Sequence, residues 1–157
     1  MKRVVLSLVL FASVIAVSAQ PRAIGGRFGG DVEFSYQHQL GKNMLDMTAG
    51  LGWGHHSAVY ATVIYDWVFP IGSWKHAGAW NWYIGPGAGV GVIFPKKDHD
   101  DGMRVGINVG GQVGIEYQFS FPLNLSLDWR PMVNLLGFSH DHYFNYYGGA
   151  LGIRYRF

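Results

Sequence analysis

The 157-residue chain contains no cysteine. No disulfide can brace it, and no lipid can be attached by the bacterial lipoprotein route, so its stability has to come from closed hydrogen bonding. Charge is scarce as well, at 14% of residues with a formal net charge of +2. Lys2 and Arg3 account for that excess, and the remainder is formally neutral with histidine uncharged, which argues against a nucleic-acid partner. The apolar run Val4 to Val17 is too short to cross about 30 Å of hydrocarbon as a helix rising 1.5 Å per residue.

That run fits a secretory signal instead. Met1-Lys2-Arg3 supplies the basic start, Ser18-Ala19-Gln20 follows the apolar stretch, and the small or branched Val17 and Ala19 flank the expected cut after Ala19. Residues 1–19 are therefore read as a signal peptide and 20–157 as one domain, exported and integral to an outer membrane. No helical periodicity of useful length follows the signal, and nothing repeats beyond hairpins.

What the chain has in quantity is glycine, with 23 residues, and aromatic side chains, at 16%. They are arranged with period two. In Trp80 to Phe94, Trp80, Trp82, Ile84, Pro86, Ala88, Val90, Val92 and Phe94 share one face, opposite Asn81, Tyr83, Gly85, Gly87, Gly89 and Gly91. In Met103 to Phe119, Val105, Ile107, Val109, Val113, Ile115, Tyr117 and Phe119 oppose Arg104, Gly106, Asn108, Gln112, Gly114, Glu116 and Gln118. Half-buried strands of soluble sandwiches usually run about five or six residues, so alternation sustained this long points to strands that cross a membrane at a tilt.

Runs bounded by turn residues extend the series to eight: Ala23–Phe28, Val32–Leu40, Met44–Gly52, Ala58–Phe69, Trp80–Phe94, Met103–Phe119, Leu123–Leu136 and Tyr146–Phe157. The first is separate if Gly29-Gly30-Asp31 is a turn rather than a bulge, and the even strand number of single-chain bacterial barrels favours the turn. Pro86 and Pro131 cannot donate to a ladder and are each expected to mark a bulge. Gly41-Lys42-Asn43 and Ser120-Phe121-Pro122 are short connections, whereas Pro95–Gly102 and Gly137–Asn145 are long and polar. Short periplasmic turns and longer external loops give the same topology, with Pro70–Ala79 a long exception on the periplasmic side.

The fold expected is an all-β, eight-stranded, antiparallel up-and-down transmembrane barrel. Its apolar face carries no charge, and it points outward to lipid if the barrel is in a membrane, or inward around a ligand if the protein is a soluble lipocalin-like carrier. Aromatic clustering at strand ends, as in Trp67 and Phe69 or Tyr155 and Phe157, favours lipid, because interfacial girdles lie there. Lumen-facing glycines would then leave room for long side chains from the opposite wall. The expected lumen charges are Arg27, Glu33, Asp46, Asp66, Arg104, Glu116, Asp128, Arg130, Arg154 and Arg156, nearly balanced and suited to a salt-bridged plug rather than a pore.

The ending Gly152-Ile153-Arg154-Tyr155-Arg156-Phe157, with Tyr155 and terminal Phe157 at alternate positions, resembles the assembly signal of Gram-negative outer-membrane proteins. With the signal peptide, Asn81-Trp82-Tyr83-Ile84-Gly85-Pro86-Gly87-Ala88-Gly89-Val90-Gly91 and Leu125-Ser126-Leu127-Asp128-Trp129-Arg130-Pro131, the chain looks like a family of small outer-membrane β-barrel domain proteins. The resemblance implies insertion by the barrel-assembly machinery, with outer-membrane lipid as its surroundings. It says little about activity, since barrels of this size include anchors, adhesins and lipid-modifying enzymes.

Loop chemistry is the remaining candidate. His55, His56, His99, His140, Asp141 and His142, with Asp98, Asp100 and Asp101, fall in three external loops that could converge on zinc or copper. None has a ligand spacing, and exposed loops are polar simply because water is there, so no metal or cofactor is assigned. An outer-membrane lipid-modifying enzyme would draw on Ser57 beside His56 or on Ser139-His140-Asp141, yet neighbours on a strand point to opposite faces and form no triad by themselves. Gly85-Pro86-Gly87-Ala88-Gly89 lacks the helix and the Lys-Ser/Thr ending of a phosphate loop. The expected role is therefore non-enzymatic: a structural or surface-interaction protein acting through its external loops, where aromatics such as Phe138 and Tyr143 could meet an extracellular partner whose identity the residues do not name.

Overall fold

The computed structural model describes residues 22–52, 57–72, 77–94, 102–136, 144–145 and 148–157. Ten strand segments follow in chain order: β1 (Arg22–Gly29), β2 (Val32–Leu40), β3 (Asn43–Gly52), β4 (Ser57–Pro70), β5 (Gly78–Phe94), β6 (Arg104–Phe119), β7 (Leu123–Trp129), β8 (Met132–Leu136), β9 (Phe144–Asn145) and β10 (Ala150–Arg156). All pairings are antiparallel. Neighbours run β5-β4-β3-β2-β1-β10-β7-β6, and β5 pairs with β6, so the sheet closes on itself. Because β7 continues into β8 and β9 into β10, the wall has eight staves. Closure pairs each of β1 to β7 and β10 on both sides, which is how a chain without disulfides satisfies its backbone. The start of β1 and the end of β10 meet in the seam, at what is here the terminal end of the barrel, where Arg22 N donates to Phe157 O at 3.1 Å and Phe157 N to Arg22 O at 2.8 Å.

Gly29-Gly30-Asp31 is a turn, with Phe28 opposite Val32, so β1 is a separate strand. At the other end Gly41 adopts a φ of 64° in the turn that joins β2 to β3, a left-handed conformation that costs glycine little.

The prolines behave differently from the expected bulges. At Pro86 the β4–β5 ladder lapses between Ile64↔Gly87 and Trp67↔Ile84 but resumes in the same register, leaving a gap. At Pro131 the register against β6 is also kept, from Val113↔Trp129 to Gly110↔Met132. The extra residue lies on the opposite neighbour: Asp128 faces Ala150 and Met132 faces Asn145, so three residues between the pairs are matched by four. A second irregularity falls between Ile107 and Asn108 of β6. A missing N–H removes one rung without lengthening the strand, which is why a gap suffices.

Inside and outside are inverted relative to a water-soluble protein. Phe34 (54% exposed) and Leu127 (62%) are among many large apolar side chains on the outer surface, whereas Glu33, Asp46, Asp128, Arg130 and Arg154 are buried. Among the described residues, the buried hydrophobic set is confined to Ala23, Met44, Ile64, Tyr83, Met132 and Ala150. This overturns the soluble-carrier alternative, in which the apolar face would line the interior.

Candidate functional site

The lumen is where the chemistry-bearing side chains meet. Each strand contributes alternate residues: Arg27 from β1, Glu33 and Ser35 from β2, Asp46 and Thr48 from β3, Gln112 from β6, Asp128 from β7, and Arg154 from β10. Arg130, in the break between β7 and β8, joins them.

Six of these charges form an alternating chain. Asp128 contacts Arg27 (Nη2 to Oδ1, 2.6 Å), Arg27 contacts Glu33 (3.0 Å), Glu33 contacts Arg130 (3.4 Å), Arg130 contacts Asp46 (3.8 Å) and Asp46 contacts Arg154 (3.4 Å). Three cations and three anions therefore neutralise one another across the barrel. Ion pairs removed from water are tolerable when their remaining donors and acceptors are met, and here they are. Arg154, fully buried, donates Nε to Ser35 Oγ at 2.7 Å and Nη1 to Ser126 Oγ at 2.6 Å. Arg130 donates Nε and Nη2 to Gln112 Oε1, at 2.8 and 2.5 Å, and Nη1 to Thr48 at 3.0 Å. Arg27 also reaches the Gly148 carbonyl at 2.6 Å, bracing the break in the last stave.

Neutral side chains that charge counting overlooks knit this chain together. Gln112 donates Nε2 to Asp66 at 3.0 Å while its oxygen serves Arg130. Tyr83 donates to Asp128 at 3.2 Å, and Tyr60 to Glu33 at 2.9 Å and Asp31 at 3.1 Å. Strand parity places Tyr83 and Gln112 opposite the apolar face, and the same parity counted back from Asp66 reaches Tyr60, so parity is the signal by which they could have been found.

Glycines make this filling possible, though not by admitting the opposite wall. A Cβ on Gly114 would meet the Tyr83 ring and Asp128, one on Gly50 the Tyr60 ring, and one on Gly87 the Ile64 side chain. Those residues are cross-strand partners of the same glycines. Each large side chain lies flat across its glycine neighbour, which is how a narrow barrel houses it.

The chain of charges divides the lumen. At the terminal end a vestibule of about 570 Å³ is lined by Lys42, Glu116, Asn124 and Arg156, among others. On the other side a space of about 320 Å³ lies against Arg27, Glu33, Tyr60 and Arg130. The two share no lining residue.

Four expected lumen charges stand apart from the chain. Arg104 is exposed, because it starts β6 opposite Ile93 and before the first rung to β8 at Ile107↔Leu136, so that flank of β6 is uncovered among the described residues. Asp66 is buried and takes its hydrogen bond from Gln112, without an ion pair among the described residues. Glu116 accepts from Asn81, Gln118 and Asn124, each at 2.8 Å, and Arg156 donates to Gln118 Oε1 at 3.1 Å and the Phe119 carbonyl at 2.6 Å. For these two, amides replace the expected ionic partners. Tyr155 and Phe157 lie exposed on the outer surface.

The loop candidates His55, His56, His99, His140, Asp141 and His142, like Ser139, lie outside the described residues. Among the described residues no group of three or more His, Asp or Glu side chains could hold a metal.

On the outer surface near the terminal end, rings pack in a band. Phe69 stacks on Trp82 with centroids 4.5 Å apart, Trp80 packs on Tyr117 at 4.8 Å, Tyr117 meets Phe119 edge-on at 4.6 Å, and Phe119 contacts Phe121 at 4.8 Å. Amphipathic rings in such a belt suit a membrane–water boundary.

No family model matches the chain, and no curated protein matches it. Among solved structures, the crystal structure of Neisserial surface protein A (NspA) is similar, with a TM-score of 0.49 and 11% identity over 87% of this chain and 92% of that chain.

Proposed function

We propose that the chain is an integral protein of a Gram-negative outer membrane, exported by a signal peptide at residues 1–19, whose sealed barrel anchors loops that engage a partner outside the cell. The observation that carries this reading is the inversion: a charged, hydrogen-bonded interior and an outer surface of exposed Phe, Leu, Val and Ile. Such a surface in water would aggregate, whereas acyl chains are its natural solvent. The aromatic band supplies one boundary. The strand ends Gly52, Ser57, Phe94, Arg104 and Leu136, beside which connections 53–56, 95–103 and 137–143 fall in sequence, all lie at the end of the barrel opposite the start of β1, which supports an external, interacting role for the loops.

The alternating charge chain supports a structural rather than conducting role. Outer-membrane fractionation tests location: the processed protein is expected in the detergent-extracted outer-membrane fraction, migrating faster in SDS gels unheated than heated. A monomer freely soluble without detergent would refute it. In planar bilayers the folded protein is expected to give no stable steps of porin size.

A further inference from the structure

We propose that the vestibule at the terminal end is a binding site for a small carboxylate ligand that also carries an amide N–H. Its volume, about 570 Å³, falls in the range of small-molecule sites. Among the polar atoms of its wall, Arg156 Nε, a buried donor, and Asn124 Oδ1, a buried acceptor on a side chain only 2% exposed, have no hydrogen-bond partner. Buried polar atoms are nearly always matched, so each one left over marks a group still to be met.

Their neighbours explain why the protein does not satisfy them. Glu116 is the carboxylate of this wall, and both its oxygens are occupied: Oε1 by Asn81 and Gln118, Oε2 by Asn124. Gln118 stands between Glu116 and Arg156, receiving from the guanidinium and donating to the acid, so no ion pair forms between them. That same bond to Glu116 orients the Asn124 amide, leaving its oxygen as the free acceptor. A cationic N–H seeking an acceptor and an amide oxygen seeking a donor together describe a ligand with a carboxylate and an amide N–H. Lys42, exposed in the rim turn, adds a positive charge that would draw such an anion in. The smaller vestibule has an unmatched acceptor in Asn108 Oδ1 but no unmatched cationic donor beside it, because Arg27 and Arg130 are already paired with Glu33 there.

The compartment this vestibule faces follows from the membrane orientation proposed above, but binding does not, so the test uses the barrel folded in detergent. N-acetylalanine is titrated while the side-chain amide resonances of Asn124 and Gln118 are followed by NMR. The expected result is a saturable shift of both, weakened about tenfold by Arg156→Gln and about twofold by Lys42→Gln. N-acetylalaninamide, which keeps the amide and loses the charge, is expected to leave both resonances in place. Should Arg156→Gln fail to fold, as judged by heat-modifiable mobility, the Lys42→Gln variant and the charged-versus-neutral probe comparison decide the matter on folded protein. The proposal is overturned if the shifts stay linear through the millimolar range, if the neutral probe binds equally, or if inorganic phosphate binds as tightly as N-acetylalanine, since a bare oxyanion cannot use Asn124.

Discussion

The barrel has two unlike halves. Strands β5 and β6 are the longest, 17 and 16 residues, and their lumen face is dominated by glycine, from Gly85 to Gly91 and from Gly106 to Gly114. The half formed by β1, β2, β3, β7 and β10, with the break at Arg130, supplies all six members of the charge chain. The first half makes space beside its own strands, as where Tyr83 lies over Gly114, and the second fills the lumen with charge. Neutral side chains tie the two together, because Gln112 of β6 accepts from Arg130 and Tyr83 of β5 donates to Asp128.

Removing a charge from the filling half should have the largest effect. Arg154→Ala strips Asp46 of a guanidinium, and the loss of a buried partner is expected to cost about 3–5 kcal/mol, read by urea unfolding in lipid vesicles. In that background Asp46→Asn should cost less than it does alone, because the carboxylate has already lost its main counter-ion; equal costs in both backgrounds would dissolve the idea of a coupled chain. The outer surface should not distinguish the halves. Ile84→Arg on β5 and Leu127→Arg on β7, one from each half and both exposed within their strands, are each expected to cost about 2–4 kcal/mol in a bilayer. A negligible cost for either would contradict lipid contact there.

In the space-making half the effects are smaller. Gly114→Val forces a side chain against the Tyr83 ring and Asp128, expected to cost about 1–3 kcal/mol by the same measurement. A second replacement, Tyr83→Leu, should recover part of it by clearing the contact. The smallest change expected is Pro131→Ala, below about 1 kcal/mol, since the proline joins the ladder only through its carbonyl, which accepts from Gly111 N at 3.2 Å and which alanine keeps, and its main effect is on the unfolded chain.

Much of this was legible in the residues. The period-two pattern assigned Glu33, Asp46, Asp128, Arg130 and Arg154 to the interior and Ile84 and Val105 to the opposite, apolar face, because strand geometry alone sends neighbours to opposite faces. Other features were not. Arg104 shares the lumen parity but sits where β6 rises past its ladder to β8, and strand stagger depends on the whole sheet. The irregularity expected at Pro131 is carried by the adjoining stave, because a ladder has two sides and a chain read alone shows one. Glu116 and Arg156, read as ion-pair candidates, are joined through Gln118, a neutral residue that no charge count would select.

What the linear order of residues determined by itself is the number of staves, the face each side chain takes and the absence of any brace other than a closed ladder, since alternation and turn chemistry are local properties of the backbone. What only the assembled barrel decided is who partners whom: that Asp128, Arg27, Glu33, Arg130, Asp46 and Arg154 fall into one alternating line, and that Asn124 and Arg156 keep an unmet atom each. Those relations join residues on different strands, some more than a hundred positions apart, and closure of the sheet sets their distances.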